Sequence, residues 1–97
     1  MKEVFHIMKN PAEISMEILM EEERDKAILV SWAINLIDKA TEKMYDTRRT
    51  YCTLCRRKDA ERFFRAMNFF EVQAALEGFV VKRRNRFCGY TIYLDEK

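Results

Sequence analysis

The stretch from residue 25 to residue 46 constrains the fold more than any other part of the chain. Its polar residues recur at spacings of four, three and four: Ser31, Asn35, Asp38 and Glu42. That spacing places them in one narrow stripe of a helix, and apolar residues occupy nearly all other positions. Because such a helix must be covered on several sides, we predict that it packs centrally and forms a homodimer interface.

The chain before this helix predicts an N-terminal extension. No proline or glycine occurs between Pro11 and Gly78, so element boundaries must be inferred from capping residues and periodicity. Residues 3–8 have strand-forming composition. Asn10, Pro11 and Glu13 then predict a helix start, with Asn10 as the cap and a break in the acidic run at residues 21–25. We predict a single domain over residues 1–97, in which an extension of residues 1–24 precedes a core of residues 25–97.

After the long helix, residues 48–55 predict a strand and Asp59 predicts the cap of a further helix. Asn68 and Glu71 form a second capping-box pattern, which would divide residues 59–77 into two short helices.

The end of the chain predicts a hairpin. Gly78 is expected to be a left-handed helix end. Alternating residues at 79–83 and 86–94 then predict two strands that turn at Arg84 and Asn85.

This order of elements predicts an α+β fold with winged-helix-like topology: a long central helix, a short strand, a helix or helix-turn-helix, and a C-terminal β-hairpin. The alternative is one unbroken helix on a small antiparallel sheet, as in a split βαβ arrangement.

Charge is distributed unevenly between the two halves of the chain. Residues 1–46 hold six basic and ten acidic residues, whereas residues 47–97 hold twelve and six. A basic half of this kind predicts an anionic partner, and arginine suits bidentate contacts with phosphate. The predicted nucleic-acid-binding residues are Arg56, Arg57, Lys58, Arg62, Arg65, Lys82, Arg83, Arg84 and Arg86.

These residues favour a small dimeric nucleic-acid-binding protein with a regulatory role, which binds DNA rather than RNA. The second short helix has no basic residue, so contact would depend on the hairpin and on Arg62 and Arg65. In an RNA or single-strand mode, Phe87 and Tyr93 would instead stack on bases.

A second class of function stays open, namely an adaptor or inhibitor that binds an acidic protein surface without binding nucleic acid. Asp59 with Arg62 and Glu61 with Arg65 have helical spacings, so some cations are expected to be paired within the chain.

The cysteines raise a zinc hypothesis. Cys52 and Cys55 have knuckle spacing, and Cys88 and His6 would complete a four-ligand site. The competing interpretation is that Cys52 and Cys88 are small apolar residues on paired strands. A redox role would require a lowered pKa at Cys55, which precedes three cations.

The sequence contains no catalytic motif that combines a nucleophile, a base and an oxyanion or phosphate loop, so we predict a protein that is not an enzyme and has no cofactor. The charged N-terminus and the short apolar run at residues 27–37 predict a cytoplasmic protein without a signal peptide or a membrane span.

Overall fold

The computed structural model describes the backbone of residues 11–97 and the side chains of residues 23–97. It is an α+β fold, as predicted. The elements in chain order are helix α1 (Pro11–Thr47), strand β1 (Tyr51–Arg56), helix α2 (Arg57–Ala66), helix α3 (Phe70–Ala75), strand β2 (Phe79–Arg86) and strand β3 (Gly89–Glu96). The strand predicted at residues 3–8 and the Asn10 cap lie outside the described residues.

Helix α1 is continuous over 37 residues, so the break predicted at residues 21–25 is wrong. Glutamate, arginine and lysine are good helix formers, and an acidic cluster alone does not end a helix. The helix ends instead at Thr47, and the next residue, Arg48, has φ of 55°. The amide of Arg49 donates to the Met44 carbonyl at 3.0 Å, which is the hydrogen bond of a Schellman motif formed without glycine.

Two short helices follow β1, so the alternative fold with one unbroken helix on the sheet is wrong.

The predicted capping residues of these two helices are also wrong. Helix α2 begins at Arg57, two residues before Asp59, and neither short helix has a side-chain cap hydrogen bond. At the turn between them, the Gln73 side-chain amide donates to the Met67 carbonyl at 3.1 Å. Gln73 thus satisfies a carbonyl at the end of α2, and the cap that Asn68 was predicted to form at the start of α3 is not present.

The three strands form one antiparallel sheet in the order β1-β3-β2. Strands β2 and β3 pair from Phe79 opposite Glu96 to Arg86 opposite Gly89, which leaves only Phe87 and Cys88 in the turn. The turn predicted at Arg84 and Asn85 is therefore wrong. The observed register places Val81 opposite Leu94 on the core face, and matching of apolar faces determines a register more strongly than local turn composition does.

Gly78 has φ of +88°, which confirms the left-handed turn predicted there. The turn directs the chain from α3 into β2, and the Phe79 amide donates to the Leu76 carbonyl at 2.9 Å.

The core lies between α1, the two short helices and one face of the sheet. Helix α1 contributes a buried stripe with helical spacing: Val30, Ala33, Ile37, Ala40 and Met44. The largest fully buried side chains opposite this stripe include Phe63, Ile92 and Leu94. The polar stripe of α1 is exposed, as its spacing predicted.

No helix among the described residues is both long enough and apolar enough to cross a bilayer.

Candidate nucleic-acid interface

Strand β2 sends its basic residues to both faces of the sheet. Residues paired directly across an antiparallel ladder share a face. Arg83 is paired with Ile92 on the core side, where its guanidinium lies over the Tyr90 ring at 4.0 Å from the ring centre. Arg84 and Lys82 are paired with Thr91 and Tyr93 on the outer face. The outer face therefore receives Lys82, Arg84 and Arg86.

Lys82 is already paired. Its ammonium nitrogen lies 3.0 Å from a carboxylate oxygen of Asp95. The hydrogen bond from Lys82 to Asp95 raises the pKa of Lys82, with the charge of Asp95 acting in the same direction. Lys82 is thus less available to an external anion than its neighbours on β2.

A row of three residues crosses the outer face. Thr91 on β3 is paired with Arg56 on β1 and with Arg84 on β2, so the hydroxyl lies between two arginine positions. That hydroxyl is buried and has no hydrogen-bond partner among the described residues. Buried polar groups are nearly always paired, so this hydroxyl is an exception, and it lies in a row with an arginine position on either side.

Four cations meet where the hairpin approaches the start of α2. The hairpin cleft, of about 570 Å³, is lined by Arg56, Arg57, Lys58, Arg86, Cys88, Gly89, Tyr90 and Thr91. No carboxylate is among these lining residues. Like charges gathered without a counter-charge repel one another, and a bound anion would relieve that repulsion.

A second cleft, the helix cleft, lies between α1 and the sheet and has a volume of about 710 Å³. Its cations are Lys39, Lys43, Arg49, Arg84 and Arg86, and its lining residues likewise include no carboxylate. Arg86 lines both clefts and joins them. We use the term basic surface for the eight cations of the two clefts: Lys39, Lys43, Arg49, Arg56, Arg57, Lys58, Arg84 and Arg86.

Arg62 and Arg65, which were predicted to belong to the same site, line a different cleft beside Asp25 and Lys26. The Arg62 guanidinium lies over the Trp32 ring, 4.3 Å from the ring centre. The ion pairs of Arg62 and Arg65 predicted from helical spacing are absent among the described side chains, where the two ion pairs are Lys82–Asp95 and Lys26–Glu71. Helical spacing permits such pairs but does not order exposed side chains into them.

The acidic residue of α3 is also engaged within the chain. Glu71 lies 3.3 Å from the Lys26 ammonium. The pKa of Glu71 is lowered, first by a hydrogen bond from its own backbone amide and then by the hydrogen bond from Lys26. Helix α3 is therefore tied to α1 through a charge pair and presents no cation of its own.

Lys39, Lys43 and Arg49 belong to the basic surface, and none of them is among the residues predicted from the sequence to bind nucleic acid. The two lysines come from α1. They are four residues apart on α1, a spacing that places them on one helix face. Their spacing was visible in the sequence, but only the packing of α1 against β1 brings them beside Arg49.

The cysteines lie in different environments. Cys52 is half-buried, Cys55 is buried and Cys88 is exposed in the hairpin turn. No group of three or more possible metal ligands occurs among the side chains from residue 23 onward, and His6 lies outside that range. The zinc hypothesis stays a prediction. The interpretation of Cys88 as a strand residue is wrong, because the turn is displaced toward it.

Burial raises the pKa of the Cys55 thiol to about 11, and the nearby Asp59 carboxylate adds to the effect. The lowered pKa that a redox role requires is therefore not found. Desolvation outweighs the neighbouring cations because the thiolate, and not the thiol, is the form that burial disfavours.

We expect Cys88 to react first with a thiol-specific reagent near pH 8, and Cys55 to react only after unfolding.

The raised pKa of Cys55 also predicts that the stability of the fold depends on pH. Its stabilising contribution is complete below pH 9 and is lost as pH rises through about 11, because the unfolded thiol ionises first. Urea unfolding between pH 8 and pH 11 measures this loss, which should be smaller for Cys55→Ala. An equal loss in that variant would contradict the assignment.

Searches of protein-family models, curated proteins and solved structures found no match to this chain.

Proposed function

We propose that this chain is a small nucleic-acid-binding protein that holds the phosphate backbone on its basic surface. The two clefts carry the proposal, since Arg86 joins them and they are lined by eight cations and, among the described residues, by no carboxylate. Guanidinium and ammonium groups both donate hydrogen bonds to phosphate oxygens. The proposal assigns the chain no catalytic role and no cofactor.

The proposed architecture is a winged helix in which β2, the turn and β3 form the wing. The element order and the sheet order β1-β3-β2 support this assignment. Helix α3 has the place of a recognition helix in the chain order, but none of its residues lines the two clefts. Because α3 has only six residues and no cation, we propose that duplex DNA is bound through its backbone, with weak discrimination between sequences.

We also propose that the protein acts as a homodimer, in a regulatory role in the cytoplasm. Helix α1 supports the dimer, because Ile28 is 55% exposed on it although the same helix supplies the central core stripe. A second copy of the helix would cover Ile28, which the core of one chain leaves exposed.

An acidic protein surface is the alternative partner. The observation that favours it is Phe70 on α3, which is 78% exposed and lies outside the basic surface. Exposed aromatic residues are typical anchors in protein interfaces. An acidic partner would contact the basic hairpin together with Phe70, whereas nucleic acid would contact the two clefts alone.

A salt-titrated binding assay tests the proposed function. Duplex DNA, single-stranded DNA and RNA of equal length are each titrated with the protein between 50 and 300 mM salt. If the surface neutralises at least four phosphates, the logarithm of the association constant should fall with the logarithm of salt at a slope of about −3.6 or steeper for duplex DNA. Absence of binding to all three at 50 mM salt would contradict the proposal and leave the acidic protein partner.

A further inference from the structure

Phe87 is fully exposed, with an accessible area of 103% of its reference value. It occupies the first of the two turn residues that join β2 and β3. An isolated apolar residue on a surface is ordinary. An aromatic ring at the end of a two-residue turn is distinctive, because the turn projects it away from the sheet and leaves both ring faces uncovered.

Cations surround the base of this turn. Arg86 directly precedes Phe87, and Arg57 packs against Gly89, where an added β-carbon would lie 3.5 Å from the Arg57 Cδ atom. Both arginines line the hairpin cleft together with Arg56 and Lys58. The ring is therefore placed at the end of the basic surface, beyond the cations.

We propose that Phe87 inserts its ring between neighbouring bases of the bound nucleic acid while the hairpin-cleft cations hold the flanking phosphates. The proposal rests on the proposed function and deepens it by naming the group that contacts the bases. Apolar side chains inserted at base steps unstack the bases and kink a duplex, and aromatic rings stack on every base type. The contact would add affinity without adding base-specific hydrogen bonds.

An anionic lipid surface fits this arrangement less well. Membrane binding strengthens with the apolar area that enters the interface, and Phe87 is the single large apolar side chain at this turn. The cations also continue from the turn along the helix cleft as far as Lys39 and Lys43. A line of charge on the side of the molecule matches a phosphate backbone rather than the plane of a bilayer.

Two substitutions of Phe87 test the proposal, with Phe70→Ala as the matched control. Phe70 is an exposed aromatic residue outside the basic surface. We expect Phe87→Ala to weaken binding of duplex DNA by about tenfold or more while the salt slope stays unchanged. Phe87→Trp should retain the affinity, and DNA should quench its tryptophan fluorescence beyond the change seen for the parent chain, which contains only Trp32. Phe70→Ala should bind like the parent.

The outcomes separate this inference from the proposed function. If the parent chain binds duplex DNA but Phe87→Ala binds equally well and Phe87→Trp shows no added quenching, the insertion is overturned and phosphate binding stands. If the parent chain binds no nucleic acid at 50 mM salt, the proposed function is overturned and the insertion with it. Binding of vesicles of anionic phospholipid that depends on Phe87, in the absence of DNA binding, would also overturn both.

Discussion

Replacing Arg84 and Arg86 together with alanine is expected to weaken the binding of duplex DNA by about 50- to 100-fold at 0.1 M salt. Arg84 lies in the row beside Thr91, and Arg86 lines both clefts of the basic surface. If each arginine neutralises one phosphate, the salt slope should become shallower by about 1.8. Fluorescence anisotropy at several salt concentrations measures both quantities.

The matched control replaces Arg62 and Arg65 with alanine. Both double variants remove two positive charges, and the control pair lines a cleft that shares no residue with the basic surface. We expect the control to change affinity by less than about threefold, because charges in a separate cleft make no direct contact with the bound phosphates and act only through a field that salt screens. Equal losses in both double variants would contradict the assignment of binding to the two clefts.

Replacing Phe63 with alanine is expected to destabilise the fold by about 3–5 kcal/mol. Phe63 is fully buried, and its ring packs edge to face with Trp32 at 6.3 Å between ring centres. A domain of this size has a total stability of about 5–15 kcal/mol, so the variant should be partly unfolded at 37 °C. Urea unfolding followed by the fluorescence of Trp32 measures the change beside the altered residue.

The neighbouring residue provides the control. Phe64 is 45% exposed, and Phe64→Ala should cost far less than Phe63→Ala because it leaves no enclosed cavity. Equal destabilisation by the two substitutions would mean that α2 does not bury the face that contains Phe63.

Some elements could be predicted because their signals are local. The long helix and the left-handed turn at Gly78 follow from helical periodicity and from a residue with special backbone preferences. The sequence left open whether residues 59–77 form one helix or two, and the Asn68 cap that suggested two is not formed. The position of the hairpin turn could not be predicted in this way. It depends on which apolar residues of β2 and β3 meet the core, and only the assembled sheet decides that register.

Most of the cations of the candidate site could be predicted from the sequence, but the face or cleft that each one occupies could not. The sequence predicted nine cations as one group. The structure gathers Arg56, Arg57, Lys58, Arg84 and Arg86 on two joined clefts. Lys82 is paired with Asp95, and Arg83 lies on the opposite face of the sheet. Successive side chains of a strand point to opposite faces of the sheet, which separates Arg83 from its neighbours on β2. The packing of α1 against the sheet adds Lys39 and Lys43 to the helix cleft, although they are distant in sequence from the other cations.

The amino-acid sequence by itself determined an α+β chain with one dominant helix, a basic second half and a C-terminal hairpin, because periodicity and charge are carried by neighbouring residues. Only the tertiary structure decided which cations share a surface, that the Thr91 hydroxyl lies between two arginine positions, and that Phe87 projects at the turn. These features depend on sheet register and on contacts between distant elements, and both are determined when the apolar faces are buried together.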